Sequence, residues 1–192
     1  MENNNRQVRE SLKGINIYLV GMMGAGKTSV GKLLAQQLGY GFVDTDNVIE
    51  KAAGKSINDI FASEGEDSFR QMESKVLQEM SAFTRLAIAT GGGIILRLEN
   101  WGYLQYGLVV WLDAPVELLV ARLQNDTTRP LLKNADLATE LENRFHQRQP
   151  LYAQADLQIS ISQEQTPEQI AKQIIEAIPT VLKKRPQSNN GH

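Results

Sequence analysis

The chain has 192 residues, 42% of them hydrophobic and 22% charged, with no cysteine. That is the length of one domain with enough apolar matter for a core, which excludes a disordered chain, a disulfide scaffold and a thiolate metal site. With 20 basic against 22 acidic side chains and a net charge of −2, no global field draws nucleic acid or an anionic membrane, so any anion must be gathered by a local site.

The first ten residues, MENNNRQVRE, lack the apolar run of a signal peptide. No stretch reaches the roughly 18 apolar residues of a membrane span. A cytoplasmic protein with no membrane or nucleic-acid partner is expected, and residues 1–14 read as a flexible extension. Residues 15–20 (INIYLV) form an apolar run, after which the pattern turns helical, with Val30, Leu33, Leu34 and Leu38 before Gly39. Between them lies GMMGAGKT, residues 21–28, which fits G-x-x-x-x-G-K-[ST] in the strand–loop–helix setting that the motif requires. Its glycines let backbone N–H groups surround phosphate oxygens, with Gly24, Ala25, Gly26 and Ser29 beside the anion. Lys27 reaches the β and γ phosphates, and Thr28 offers a hydroxyl to Mg²⁺. ATP and Mg²⁺ are the cofactors this implies.

A second strand, residues 41–44, ends in Asp44-Thr45-Asp46, on the neighbouring edge of such a sheet. One aspartate is positioned to hold the Mg²⁺ hydration shell and the other to accept from a substrate hydroxyl, while the first also reads as a helix cap. Helical patterns follow over 48–52, over 56–61 with a Ser56/Asp59 capping box, and over 66–82. Residues 86–89 (LAIA) run into Gly91-Gly92-Gly93, a backbone that a ligand can approach closely. The strand LVVWL, 108–112, ends at Asp113, which resembles the metal-binding aspartate of other P-loop proteins but is followed by Ala114-Pro115 and so reads as a structural turn. Residues 124–136 are polar and irregular and read as a mobile lid. A helix over 137–149 stops before Pro150, a strand covers 156–162, and Thr166-Pro167-Glu168-Gln169 opens the last helix. The tail from 179 is polar. Strands alternating with helices predict a three-layer α/β fold, a central parallel sheet covered on both faces, with ligands over the carboxyl ends of the strands.

Arg70, Arg122, Arg129 and Arg148 are the arginines whose forks would grip carboxylates and phosphates. Nothing in their spacing makes them converge. From Ile15 to Ile178, however, the sequence resembles the shikimate kinase family, within the nucleoside-monophosphate-kinase-like P-loop folds. GMMGAGKTSVGK, FVDTD, the stretch 56–70 followed by Glu73, the glycine triplet, RPLL (129–132) and RQPLY (148–152) stand in that family's order and approximate spacing. The resemblance implies a three-layer P-loop kinase fold with a central five-stranded parallel sheet, a substrate-binding helical segment and a mobile lid, and phosphorylation of the 3-hydroxyl of shikimate by ATP in a monomer. It implies that Asp46 binds the ring hydroxyls and acts as base, that Arg70 and Arg148 hold the carboxylate, and that Gly91, Gly92 and Gly93 lie against the substrate. Asp44 would meet Mg²⁺ through water, and Glu73 would orient Arg70, a contact its i, i+3 spacing permits. Arg129 would be the lid arginine, catalytic with Lys27 and Asp46, and Arg122 and Pro167 would flank the adenine. The chain departs from some members at Gln163, Glu164 and Gln165, where they carry a basic residue. His146, Trp101, Trp111 and the basic run 183–185 read as surface, core, core and solvated tail.

Overall fold

A computed structural model describes residues 2–124 and 136–182. Its centre is a five-stranded all-parallel sheet made of β1 (Ile17–Val20), β2 (Gly41–Asp44), β3 (Leu86–Ala89), β4 (Leu108–Asp113) and β5 (Leu157–Ser160), in the order β2-β3-β1-β4-β5. β1 is buried along its whole length and β4 along all but its last residue, as strands covered on both faces must be. The helices α2 (Lys27–Leu38), α3 (Thr45–Ala53), α4 (Ile57–Ser81), α5 (Leu98–Leu104), α6 (Val116–Leu123), α7 (Leu137–Tyr152) and α8 (Pro167–Leu182) cover it.

The chain order of the strands reverses at β1, which lies between β3 and β4, and crevices at such a switch point take ligands. β2 is therefore not the direct neighbour of β1, as the position of Asp44 had suggested. β3 intervenes, with Ala89 in register with both Leu19 and Asp44. Asp44 still reaches the phosphate loop because it caps α3 and turns back toward the start of α2.

Several elements differ from the sequence expectation. Residues 1–14, read as a flexible extension, contain α1 (Glu2–Ser11), which packs against α8 and α2 with Val8 and Leu12 in the main core. An apolar pair four residues apart is a single helical contact, too short a stripe to stand out. Segments 56–61 and 66–82 join into α4, broken at Gly65, whose φ of 83° and ψ of 172° lie outside the helix region. α7 runs through Pro150. Proline removes only the bond to the His146 carbonyl, and His146 is exposed, so water can take that place. α8 likewise passes Pro179. The proposed lid centre, 125–135 with Arg129, and the basic run 183–185 lie outside the described residues. No described helix is long and apolar enough to cross a membrane.

Candidate active site

The phosphate loop leaves β1 at Gly21, whose φ is 142°; a Cβ there would stand 2.6 Å from the Leu112 carbonyl oxygen. Gly24 and Gly26 also adopt positive φ, 80° and 96°, so the loop curls in a way L side chains resist. Lys27 Nζ donates to the carbonyls of Gly21 and Met22, each at 2.8 Å, and is thereby held across the loop. A cavity of about 430 Å³ opens over it, lined by residues 23–30 together with Asp44, Asp46, Thr90, Gly92, Arg122, Pro167 and Ile170. Arg122 Nη1 donates to the Gly24 carbonyl at 2.9 Å. Pro167 lies in a capping box in which Gln169 N donates to Thr166 Oγ1 and Thr166 N to Gln169 Oε1. Gln163, Glu164 and Gln165 do not line this cavity.

Asp44 is the helix cap that was expected, and it also touches the phosphate loop. Its Oδ1 accepts from Asp46 N at 3.1 Å, the helix cap, while its Oδ2 accepts from Thr28 Oγ1 at 2.7 Å. A hydroxyl and a carboxylate are thus paired beside the phosphate loop. Asp113 serves the fold: its Oδ2 accepts from Gln158 Nε2 at 2.8 Å, its carbonyl from Ile161 N at 2.8 Å, and it lines neither cavity.

A second cavity, about 560 Å³, adjoins the first, and both are lined by Met23, Thr28, Asp44, Asp46 and Gly92. Its far walls carry Arg70, Arg148, Glu73, the glycine triplet and the ring pair Phe61–Phe69, whose centroids lie 4.7 Å apart. Arg70 donates from Nη1 to Glu73 Oε2 at 2.5 Å and from Nη2 to Glu66 Oε1 at 2.9 Å, with its guanidinium carbon 5.3 Å from the Phe69 ring. Those contacts fix the fork with only 12% of the side chain exposed. Glu73 is 1% exposed. Burial raises its pKa to about 7, against the pull of Arg70 and with a smaller push from Asp46.

Two of the three glycines are explained by the protein rather than by a ligand. A Cβ at Gly91 would overlap Glu73 Oε1 and stand 2.9 Å from Asp46 Oδ1, and one at Gly93 would overlap the Arg70 guanidinium. Only at Gly92 are the neighbours at ordinary distance, Gly21 O and Met23 N at 3.5 Å, so this glycine alone presents bare backbone where the two cavities meet. Arg148 Nη1 donates to the Gly92 carbonyl at 3.1 Å. Phe69 and Trp111 are buried, Trp101 is half-buried with Nε1 donating to Ile95 O, and His146 is exposed, 3.8 Å from Glu142.

Sequence reasoning missed Tyr152, whose hydroxyl also donates to the Gly92 carbonyl at 2.7 Å, and Thr45, which accepts from Gly91 N at 3.0 Å. It also missed Glu50 and Arg144 on the wall of the second cavity. Helical spacing carried a signal for three of these: Glu50 stands four residues after Asp46, and Arg144 and Tyr152 four before and four after Arg148.

Comparisons agree with this architecture. A model of the shikimate kinase family matches residues 23–179. The shikimate kinase of Nostoc punctiforme is 63% identical over 172 residues, covering 90% of this chain and 95% of the relative. That of Rippkaea orientalis is 54% identical over 183 residues, covering 95% and 98%. Among solved structures, shikimate kinase from Acinetobacter baumannii in complex with shikimate superposes with a TM-score of 0.85 at 40% identity, covering 90% of this chain and 97% of that one. With its sheet order, its paired cavities and these identities over nearly its whole length, the chain belongs to the shikimate kinase family.

Proposed function

We propose that this chain phosphorylates the 3-hydroxyl of shikimate with ATP, giving shikimate 3-phosphate and ADP, and that the residues around the two cavities perform the reaction. The observation that carries the reading is the meeting of a phosphate-loop cavity with an arginine-walled cavity at Thr28, Asp46 and Gly92. There a donor phosphate and an acceptor hydroxyl can be brought into line.

On this reading the phosphate loop and Lys27 hold the β and γ phosphates, Lys27 exchanging its two carbonyl partners for phosphate oxygens. Arg122 and Pro167 flank the adenine end. Arg70 and Arg148 bind the carboxylate of shikimate, the first as a fork already braced by Glu66 and Glu73. Asp46 accepts from the ring hydroxyls and takes the proton of the attacking one, a modest service when the transition state is loose. Glu73 positions Arg70, and the triplet Gly91, Gly92, Gly93 forms the floor. The Thr28 hydroxyl and the Asp44 carboxylate are hard oxygen donors suited to Mg²⁺, directly and through water respectively. When bound, Mg²⁺ neutralises charge on the β and γ oxygens. Arg129, in the family's lid position, adds positive charge over the transferring group. Phe61 and Phe69 give the second cavity an apolar wall for the carbon face of the ring. A cytosolic monomer is part of this reading, and light scattering at assay concentration checks the oligomeric state.

A coupled assay of ADP release tests the whole. Release should depend on shikimate and stay at background with gluconate or nucleoside monophosphates. Equal release with any of those acceptors would replace shikimate, and no release with any would reduce the chain to a nucleotide-binding module.

A further inference from the structure

The Gly92 carbonyl is a shared acceptor, with Tyr152 Oη at 2.7 Å and Arg148 Nη1 at 3.1 Å. Both donors project from α7 one turn apart. They differ in freedom. Tyr152 is fully buried, its ring stacked on Trp111 with centroids 5.7 Å apart, so its hydroxyl proton is held on the Gly92 carbonyl while its oxygen is also bonded by the Arg148 side chain. Burial pushes that hydroxyl's pKa up to about 12, which keeps it a donor at any working pH. Arg148 is half-buried and lines the second cavity, where a carboxylate would compete for its guanidinium.

We propose that Tyr152 is a positioning residue that releases Arg148 to the substrate: its buried hydroxyl keeps the Gly92 carbonyl bonded when the guanidinium turns from that carbonyl to the carboxylate. This rests on Arg148 being a carboxylate ligand. A carbonyl has two lone pairs and tolerates losing one partner when the other stays. Without the tyrosine hydroxyl, recruiting Arg148 leaves the carbonyl bare beneath a bound substrate, and an orphaned polar group at a covered site is expensive. The tyrosine also holds the Gly92 peptide in place at the junction of the two cavities while Arg148 moves.

The test is a cycle of Tyr152→Phe, Arg148→Ala and the double variant, read as KM for shikimate, KM for ATP and kcat. Phenylalanine keeps the ring on Trp111 and removes the hydroxyl, with its bond to the Gly92 carbonyl and its contact with Arg148; the exchange protection of the hydroxyl proton in the unmutated protein, below, reads the first of these alone. In the parent chain Tyr152→Phe should raise KM for shikimate roughly tenfold, the scale of one unmet buried hydrogen bond. KM for ATP and kcat should stay within about twofold. In the Arg148→Ala background, where no guanidinium has to be released, the same change should move KM for shikimate by less than about twofold. An unchanged KM in the parent chain, or the same loss in both backgrounds, overturns the proposal. If shikimate turnover itself is absent from the parent chain, the functional reading fails rather than this one. The unmutated protein gives a second readout by NMR: the Tyr152 hydroxyl proton should remain protected from solvent exchange with shikimate bound, and loss of that protection on binding also overturns it.

Discussion

Arg148→Ala separates acceptor binding from donor binding more cleanly than any other single change. Arg70 is a poorer target because Glu73, 1% exposed, would lose its guanidinium and take up a proton, so stability and protonation would change along with binding. Arg148 bonds the Gly92 carbonyl, which Tyr152 also bonds, so its removal leaves that carbonyl served and the fold nearly unchanged. What is lost is one charged fork from the acceptor cavity. Truncating one partner of a hydrogen-bonded charge pair costs about 2–5 kcal/mol. The half-buried position of Arg148 favours the lower end, about 2–3 kcal/mol, or roughly 30- to 150-fold in affinity. Steady-state kinetics with ADP release coupled to NADH oxidation should show that increase in KM for shikimate, with KM for ATP within about twofold. Calorimetric titration with shikimate alone should agree. An equal loss for both substrates, or a shikimate KM within about threefold of the parent value, would refute the assignment of Arg148 to the carboxylate.

Lys27→Ala should lower kcat by at least about 10²–10³-fold, the scale of one lost charge-stabilising donor, while shikimate still binds; near-normal turnover would contradict the phosphate-loop assignment. Gly91→Ala should displace the Glu73 carboxylate that its Cβ would overlap, lowering stability by about 1–3 kcal/mol and raising KM for shikimate; thermal unfolding and kinetics read both effects, and an unperturbed variant would contradict the close approach. Glu73 sets a pH dependence. Its folded pKa, about 7, lies above the ordinary 4.5 because burial disfavours its charge, so between those values the folded chain holds a proton that the unfolded chain has lost. This contribution to stability therefore falls as pH rises through that window, by on the order of 3 kcal/mol, and is flat above it. Urea unfolding across the window should show the decline in the parent and its absence in Glu73→Gln; the same slope in both chains would refute the burial account.

The phosphate loop was legible because its chemistry is contiguous: glycines, lysine and hydroxyl follow one strand and open one helix. The acid segment was legible for the same reason, since Asp44 ends a strand and caps the next helix within three residues. Arg70 and Glu73 could be joined from i, i+3 spacing. Arg148 could not, because its approach to Gly92 is made by the packing of α7 on the sheet, which no local pattern encodes; family resemblance alone singled it out. The glycine triplet was read as room for a ligand, yet Gly91 and Gly93 are small because Glu73 and Arg70 occupy the space a Cβ would need. α5 was hard to see because it has only seven residues, buries only Asn100 and Leu104 and leaves Leu98 at its start 87% exposed, so its apolar stripe is too short to stand out. The strand order was beyond reach, as parallel strands of similar apolar run carry no label of their neighbours.

The product itself gives the most direct test of the reaction assigned to this chain. With ATP and shikimate mixed in equal amounts, phosphorus NMR should show the ATP γ signal replaced by a phosphomonoester signal, split by the single proton on a secondary ring carbon and growing in step with ADP. Appearance of inorganic phosphate in step with ADP, with no ester formed, would contradict it.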